Sequence, residues 1–115
     1  MTQILYFISS SGQNPVKDFI DSLEKPSQAK ILRLFQTISL YGLPTVLPHI
    51  KKLTGTPLYE LRILCKDNIR FIYFAPIKER IVILHGFTKT TNKTPLRELN
   101  TALKRFQEYH LTLTS

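Results

Sequence analysis

The chain has one cysteine, one methionine, no tryptophan and four glycines in 115 residues. The lone Cys65 excludes an internal disulfide, and no Cys/His cluster has metal-ligand spacing. No apolar run approaches the roughly 18 residues of a membrane-spanning helix. The start, Met1-Thr2-Gln3-Ile4-Leu5-Tyr6-Phe7-Ile8, has neither the basic opening nor the small-residue cleavage site of a signal peptide, and reads as a strand. A cytoplasmic protein is the simplest inference. Several catalytic patterns are also missing: GxSxG, a Walker A sequence, HExxH and a DxD pair. Thiol and zinc chemistry are poor candidates, and neither metal nor cofactor is expected.

Acidic residues are also scarce. Eight Asp and Glu stand against 16 Lys and Arg, for a net charge of +8. The first 49 residues carry four basic side chains (Lys17, Lys25, Lys30, Arg33) and three acidic ones (Asp18, Asp21, Glu24), which leaves twelve and five for residues 50–115. A small domain with a basic C-terminal half suggests a polyanionic partner, usually nucleic acid, against the plainer reading of a basic soluble protein. With 43% hydrophobic residues the chain is folded, and its length suits one domain, residues 1–115, with one core.

What is present alternates between two periodicities. After a first strand at Ile4–Ile8, Asn14-Pro15 reads as a helix cap followed by proline at the first helical position. Val16, Phe19, Ile20 and Leu23 form one apolar stripe, and Ile31, Leu34, Phe35 and Ile38 form a second after the break at Lys25-Pro26-Ser27. Gly42 marks the second stop, so the two helices form an antiparallel hairpin. Residues 43–57, with Pro44, Pro48, Gly55 and Pro57, should be irregular, and within them Lys51 and Lys52 are either solvated loop charge or phosphate contacts. Three strand-like runs follow, Leu58–Leu64, Asn68–Ala75 and Arg80–Phe87, joined by Cys65-Lys66-Asp67 and Pro76-Ile77-Lys78-Glu79 as an antiparallel meander. Alternation sets Tyr59, Leu61, Ile63, Ile69, Phe71 and Tyr73 on one face. The other face takes Leu58, Glu60, Arg62, Leu64, Arg70, Ile72 and Phe74. Past the basic exit Phe87–Lys93, Thr94-Pro95 opens a last helix with Leu96, Leu99, Leu103 and Phe106 as its stripe, Arg97 in its first turn, and Lys104 and Arg105 off the stripe. Residues 111–115 read as a frayed tail.

An arginine in mid-sheet needs a partner or an anionic ligand. Arg62, Arg70, Lys89 and Lys93 therefore stand out as a cation cluster. Such groups can cleave RNA with no metal, because the 2′-OH attacks the neighbouring phosphate while the cations stabilise charge on phosphorus. His85 is an acid or base candidate or a half-buried strand histidine, and His49 and His110 read as surface residues. Phe87 or Tyr73 could stack on a base, although core packing competes for both.

Leu58-Tyr59-Glu60-Leu61-Arg62, Asn68-Ile69-Arg70-Phe71-Ile72-Tyr73, Ile83-Leu84-His85-Gly86-Phe87-Thr88-Lys89 and Lys93-Thr94-Pro95 together resemble the RelE/ParE toxin superfamily, in its HigB-like, phage-related branch. The resemblance covers about residues 4–109. It implies an α+β fold, with an N-terminal helical hairpin packed on a twisted antiparallel β-sheet and a short C-terminal helix. It further implies a type II toxin that enters the ribosomal A site and cuts mRNA as a metal-independent endoribonuclease. The partner is then a helix-turn-helix, HigA-like antitoxin, with a heterotetramer as a candidate assembly. Carried over by position, Arg62 and Arg70 bind or activate the scissile phosphate, Lys89 is the basic position after the fourth strand, and Lys93 and Arg97 hold RNA backbone. Glu60, on the same RNA-binding face, orients Arg62 or acts as a base. His85 is a further catalytic candidate, and Lys51 and Lys52 remain RNA-binding candidates from their charge. The family's loop often reads Phe-x-Lys-Lys, and Thr90 stands here in place of the second lysine, which leaves the general acid between Lys89 and His85. A ParE-like DNA gyrase inhibitor, binding with no nuclease chemistry, is the alternative on the same scaffold.

Overall fold

The computed structural model describes residues 1–63, 65, 67–90 and 93–114. The expected places of Leu64, Lys66, Thr91, Asn92 and Ser115 lie outside the described residues. The elements run β1 (Gln3–Tyr6), α1 (Pro15–Asp21), α2 (Lys25–Tyr41), a 3-10 segment (Leu43–His49) kinked at Val46, β2 (Ile50–Lys52), β3 (Tyr59–Ile63), β4 (Ile69–Ile77), β5 (Arg80–Thr88) and α3 (Leu96–Thr114). The fold is α+β, with the helical hairpin on one face of a five-stranded sheet and one C-terminal helix on the other.

Local chemistry sets the hairpin. Asn14 accepts a hydrogen bond from the Lys17 amide at 3.0 Å, ahead of Pro15 at the first helical position. Gly42 ends α2 at φ 88°, in the left-handed region that favours glycine. Val16 and Ile20 from α1, and Ile31, Phe35 and Ile38 from α2, meet Leu61, Ile63, Ile69, Phe71 and Tyr73 of the sheet in one core. Both apolar stripes and the facing of β3 and β4 are as the alternation requires. Gly86 lets the hairpin approach, because a Cβ there would lie 2.6 Å from carbons of both Phe19 and Phe71.

Five details differ from the expectations. The sheet order is β1-β5-β4-β3-β2, and β1 runs parallel to β5, so the sheet is mixed and not wholly antiparallel. The helical hairpin separates β1 from the meander, which frees β1 to join the far edge in either direction. Residues 43–57 are only partly irregular, since Ile50–Lys52 pairs with β3 and carries both lysines in a strand. The β4–β5 turn is tighter than expected: Pro76 and Ile77 belong to β4, and Glu79 takes φ 66°. The C-terminal helix is the longest of the three described, at 19 residues, and continues to Thr114, within the segment read as a frayed tail. Its buried stripe is Leu99, Ala102, Leu103, Phe106 and Tyr109, whereas Leu96 is exposed.

That helix changes the picture of the second sheet face. Leu58, Ile72, Phe74, Val82, Leu84 and Phe87 pack beneath it with Phe7 as a second core. The face expected to be open is therefore covered over β4 and β5. What remains uncovered is the end of β3, with β2 beside it.

Candidate nucleic-acid interface

Glu60 is the centre of this uncovered corner. It is the second residue of β3, opposite Lys51 of β2 and Ile72 of β4. Its side chain is only 4% exposed. Oε1 pairs with Arg70 Nε at 3.1 Å and with Lys89 Nζ at 3.6 Å. Oε2 accepts the Thr94 hydroxyl. Arg70 and Lys89 are themselves nearly buried, at 10% and 8% side-chain exposure. Two cations share one carboxylate in a poorly hydrated place, so a formal excess of positive charge is held at the sheet surface. Arg70 Nη1 also donates to the Ile69 carbonyl at 3.2 Å, which fixes the guanidinium plane. Lys89 is tied at its backbone: its amide donates to Asn68 O at 3.0 Å, and its carbonyl accepts from Asn68 Nδ2 at 2.8 Å. Asn68 reaches that position with φ 54°, a conformation asparagine tolerates better than most residues.

Arg62 stands directly across from Arg70 in the β3–β4 register, and it is exposed. Together with Lys51, Arg70, Lys89, Glu60 and His49 it lines a cleft of about 280 Å³. Four cations thus line one cleft, two of them paired to its one carboxylate. Like charges opposite one another on a strand pair are unfavourable. A bound anion between Arg62 and Arg70 would reverse the sign of that term.

The candidates read from the sequence divide cleanly. Arg62, Arg70, Lys89, Lys51 and Glu60 come together in the cleft. Lys52 does not. Strand alternation turns it to the other face, where its ammonium lies 4.8 Å from the Tyr59 ring centre and donates to Thr56 O at 2.5 Å. Arg97 is 86% exposed beside Glu98, and Lys93 is exposed; neither lines the cleft. Glu60 pairs with Arg70 and Lys89, where Arg62 was the expected partner. Tyr73 and Phe87 are both core residues, so neither presents a ring to a base.

His85 takes the second of its two readings, a half-buried strand histidine with a hydrogen-bonded ring, inside β5, which continues to Thr88. Ile72 pairs with His85 and Tyr73 with Ile83, so Leu84 is an extra residue in β5. The bulge turns His85 onto the α3 side, beside Phe87. Arg105 Nη1 reaches both the Leu84 carbonyl and His85 Nδ1 at 3.0 Å. A guanidinium can only donate, so Nδ1 accepts, and Nε2 carries the proton it gives to Glu98 Oε1 at 2.8 Å. Burial lowers the His85 pKa, with the Arg105 charge acting in the same direction against the Glu98 contact. His85 is thus a neutral hinge pin between sheet and helix, outside the cleft, and Arg105 is packed inward where the stripe had placed it outward.

Three participants were not anticipated. His49, read as a surface residue, borders the cleft with a buried Nδ1 that has no hydrogen-bond partner among the described residues. Thr94, read as a helix cap, gives its hydroxyl to Glu60. Arg105 holds the bulge. Only the split between Lys51 and Lys52 had a signal in the sequence, namely the alternation of Ile50–Lys52 once it is taken as a strand.

Among the described residues, no group of three or more His, Cys, Asp or Glu side chains could hold a metal ion, and no helix is long and apolar enough to cross a membrane. No curated protein matches the chain. The family model for Phage derived protein Gp49-like (DUF891) matches residues 18–107, a span that contains every residue lining the cleft. The chain belongs to this phage-derived Gp49-like family, a family of RelE/ParE-like toxin type.

Proposed function

We propose that this chain is the toxin of a type II toxin–antitoxin module, of the HigB-like branch, one domain over residues 1–115, acting as a ribosome-dependent mRNA endonuclease. The observation that carries this reading is the convergence of Lys51, Arg62, Arg70 and Lys89 in one sheet cleft against the single carboxylate of Glu60. A protein that only docks on another protein has no need of such a cluster, which favours nuclease chemistry over the gyrase-inhibitor alternative.

The chemistry follows from RNA itself. The 2′-OH loses its proton and attacks the adjacent phosphorus, and the P–O5′ bond breaks. The products are a 2′,3′-cyclic phosphate and a 5′-hydroxyl that takes up a proton. Arg62 and Arg70, facing each other across β3 and β4, clamp the non-bridging oxygens as charge builds on them. Both Glu60 oxygens are occupied, so Glu60 positions Arg70 and Lys89 and does not take the proton. Lys89 and His49 are the proton carriers within reach of the cleft. The mRNA is presented in the ribosomal A site, and a helix-turn-helix antitoxin silences the toxin in the cell.

Purified protein added to a bacterial translation extract should halt synthesis and leave messages with new 5′-hydroxyl ends. Arg62→Ala and Arg70→Ala should each lower the cleavage rate by about 10²–10³-fold, the scale for losing one transition-state donor. Wild-type-like cleavage by both variants, or inhibition of DNA supercoiling with intact messages, would overturn the reading.

A further inference from the structure

A second cavity, of about 270 Å³, lies on the other side of Arg62, between α2 and β3. Its walls are Lys30, Arg33 and Thr37 from α2 with His49 and Arg62, over an apolar floor of Leu34 and Ile63. Three of these are cations, and none of the described residues lining it is acidic. The helix itself carries the same bias. Residues 25–41 contain Lys25, Lys30 and Arg33 and no Asp or Glu, whereas α1 carries Asp18 and Asp21. Arg33 therefore has no carboxylate on its own helix at the usual spacing. Lys30, Arg33 and Thr37 recur at three and four residues, which places them on one face of α2.

Arg62 and His49 border both cavities. The two basic clefts are therefore neighbours with a common wall. At their junction sits the His49 imidazole, whose Nδ1 is buried and unpaired among the described residues. A buried polar atom without a partner calls for a ligand or a rearrangement that satisfies it. The cavity is smaller than the roughly 300–1,000 Å³ of sites for drug-sized molecules. It suits a phosphate with its sugar: guanidinium and ammonium groups for the phosphate, Thr37 for a hydroxyl, Leu34 and Ile63 for the sugar's carbon face.

We propose that the cavity walled by Lys30, Arg33, His49 and Arg62 is a second phosphate subsite for single-stranded nucleic acid, receiving the backbone next to the phosphate held in the sheet cleft. It rests on the reading of that cleft as a nucleic-acid site and extends it around the edge of the sheet onto α2. Arg62 is then shared by two successive phosphates. The strand turns at β3 and does not continue along β4, where α3 blocks the way.

The test uses 2′-O-methyl oligoribonucleotides, which bind and are not cut, with affinity read by fluorescence anisotropy. A dinucleotide offers one phosphodiester and fills only the sheet cleft, whereas a hexanucleotide reaches both sites. Arg33→Glu, at an exposed helix position, should weaken the hexanucleotide about tenfold or more and leave the dinucleotide unchanged. Arg33→Gln should give an intermediate loss, and its melting temperature reports whether the fold is intact. Arg62→Ala should weaken both ligands. If Arg33→Glu leaves hexanucleotide affinity unchanged, the subsite is wrong while the sheet cleft stands. If wild type binds neither oligonucleotide, the sheet-cleft reading fails and takes the subsite with it. A loss confined to an acidic peptide of matched charge assigns the cavity to a protein partner and overturns the proposal.

Discussion

Glu60 carries more of the molecule's electrostatic burden than any other described carboxylate. It faces Arg70 and Lys89 where water is scarce, and removing one member of such a cluster leaves the others buried and uncompensated. Glu60→Gln keeps the shape and the Thr94 contact but loses the charge. It should lower unfolding stability by about 3 kcal/mol, read as a fall in the urea midpoint at constant slope. An unchanged midpoint would mean that Arg70 and Lys89 reach water freely. His85 gives a pH dependence of definite sign. Its folded-state pKa lies below the unfolded value of about 6.5, because burial disfavours the imidazolium. The unfolded chain therefore binds the extra proton first. The neutral contacts to Glu98 and Arg105 contribute fully above about pH 6.5, and their contribution is lost as pH falls from there toward the lowered folded value. The loss is at most about 1.4 kcal/mol per pH unit. His85→Gln can accept from Arg105 and donate to Glu98 without titrating. Denaturation of both proteins at pH 7.5 and 5.5, in matched buffers, should show the wild type losing more stability than the variant.

At the level of elements, two placements decide the architecture: the hairpin against β5 and α3 against the bulge. Gly86 sits where α1 comes nearest the sheet, and an added methyl group has aromatic rings on two sides. Gly86→Ala should lower stability by about 1–3 kcal/mol, measured by thermal and urea unfolding, because Phe19 and Phe71 must both shift. An unaltered melting temperature would show that the hairpin can slide away. The two helical stripes and the alternation in β3 and β4 were legible in the sequence because each is a short-range pattern with a fixed period. The bulge at Leu84 was not. One extra residue changes which face His85 occupies without disturbing the hydrophobic run, so Ile83-Leu84-His85 reads identically with or without it. Arg105 was missed for the same reason. Its inward turn answers a carbonyl that the bulge leaves outside the β4 pairing. The length of α3 was legible only in part, since Thr112 and Thr114 are weak helix formers.

At the scale of the whole molecule, charge is distributed as two neighbouring basic clefts that share Arg62 and His49. A chain of net charge +8 should meet an acidic partner segment quickly at low ionic strength. The association rate with the proposed antitoxin should therefore fall several-fold between about 50 and 300 mM salt, while the dissociation rate changes less, as stopped-flow mixing can measure. A salt-independent association rate would mean that the clefts take no part in the encounter.

Short-range patterns alone determined the helical hairpin, the meander, and the placing of Glu60, Arg62 and Arg70 on one face of the sheet, because caps, stripes and alternation act over a few residues. Tertiary structure alone decided which candidates meet. It turned Lys52 away, drew Lys89 and Thr94 onto Glu60, took His85 into the α3 contact and opened the α2 cavity beside Arg62. These outcomes depend on strand register, a bulge and the docking of a distant helix. Such features are set by the sum of many packing contacts between segments far apart in the chain, and no local run of residues encodes them.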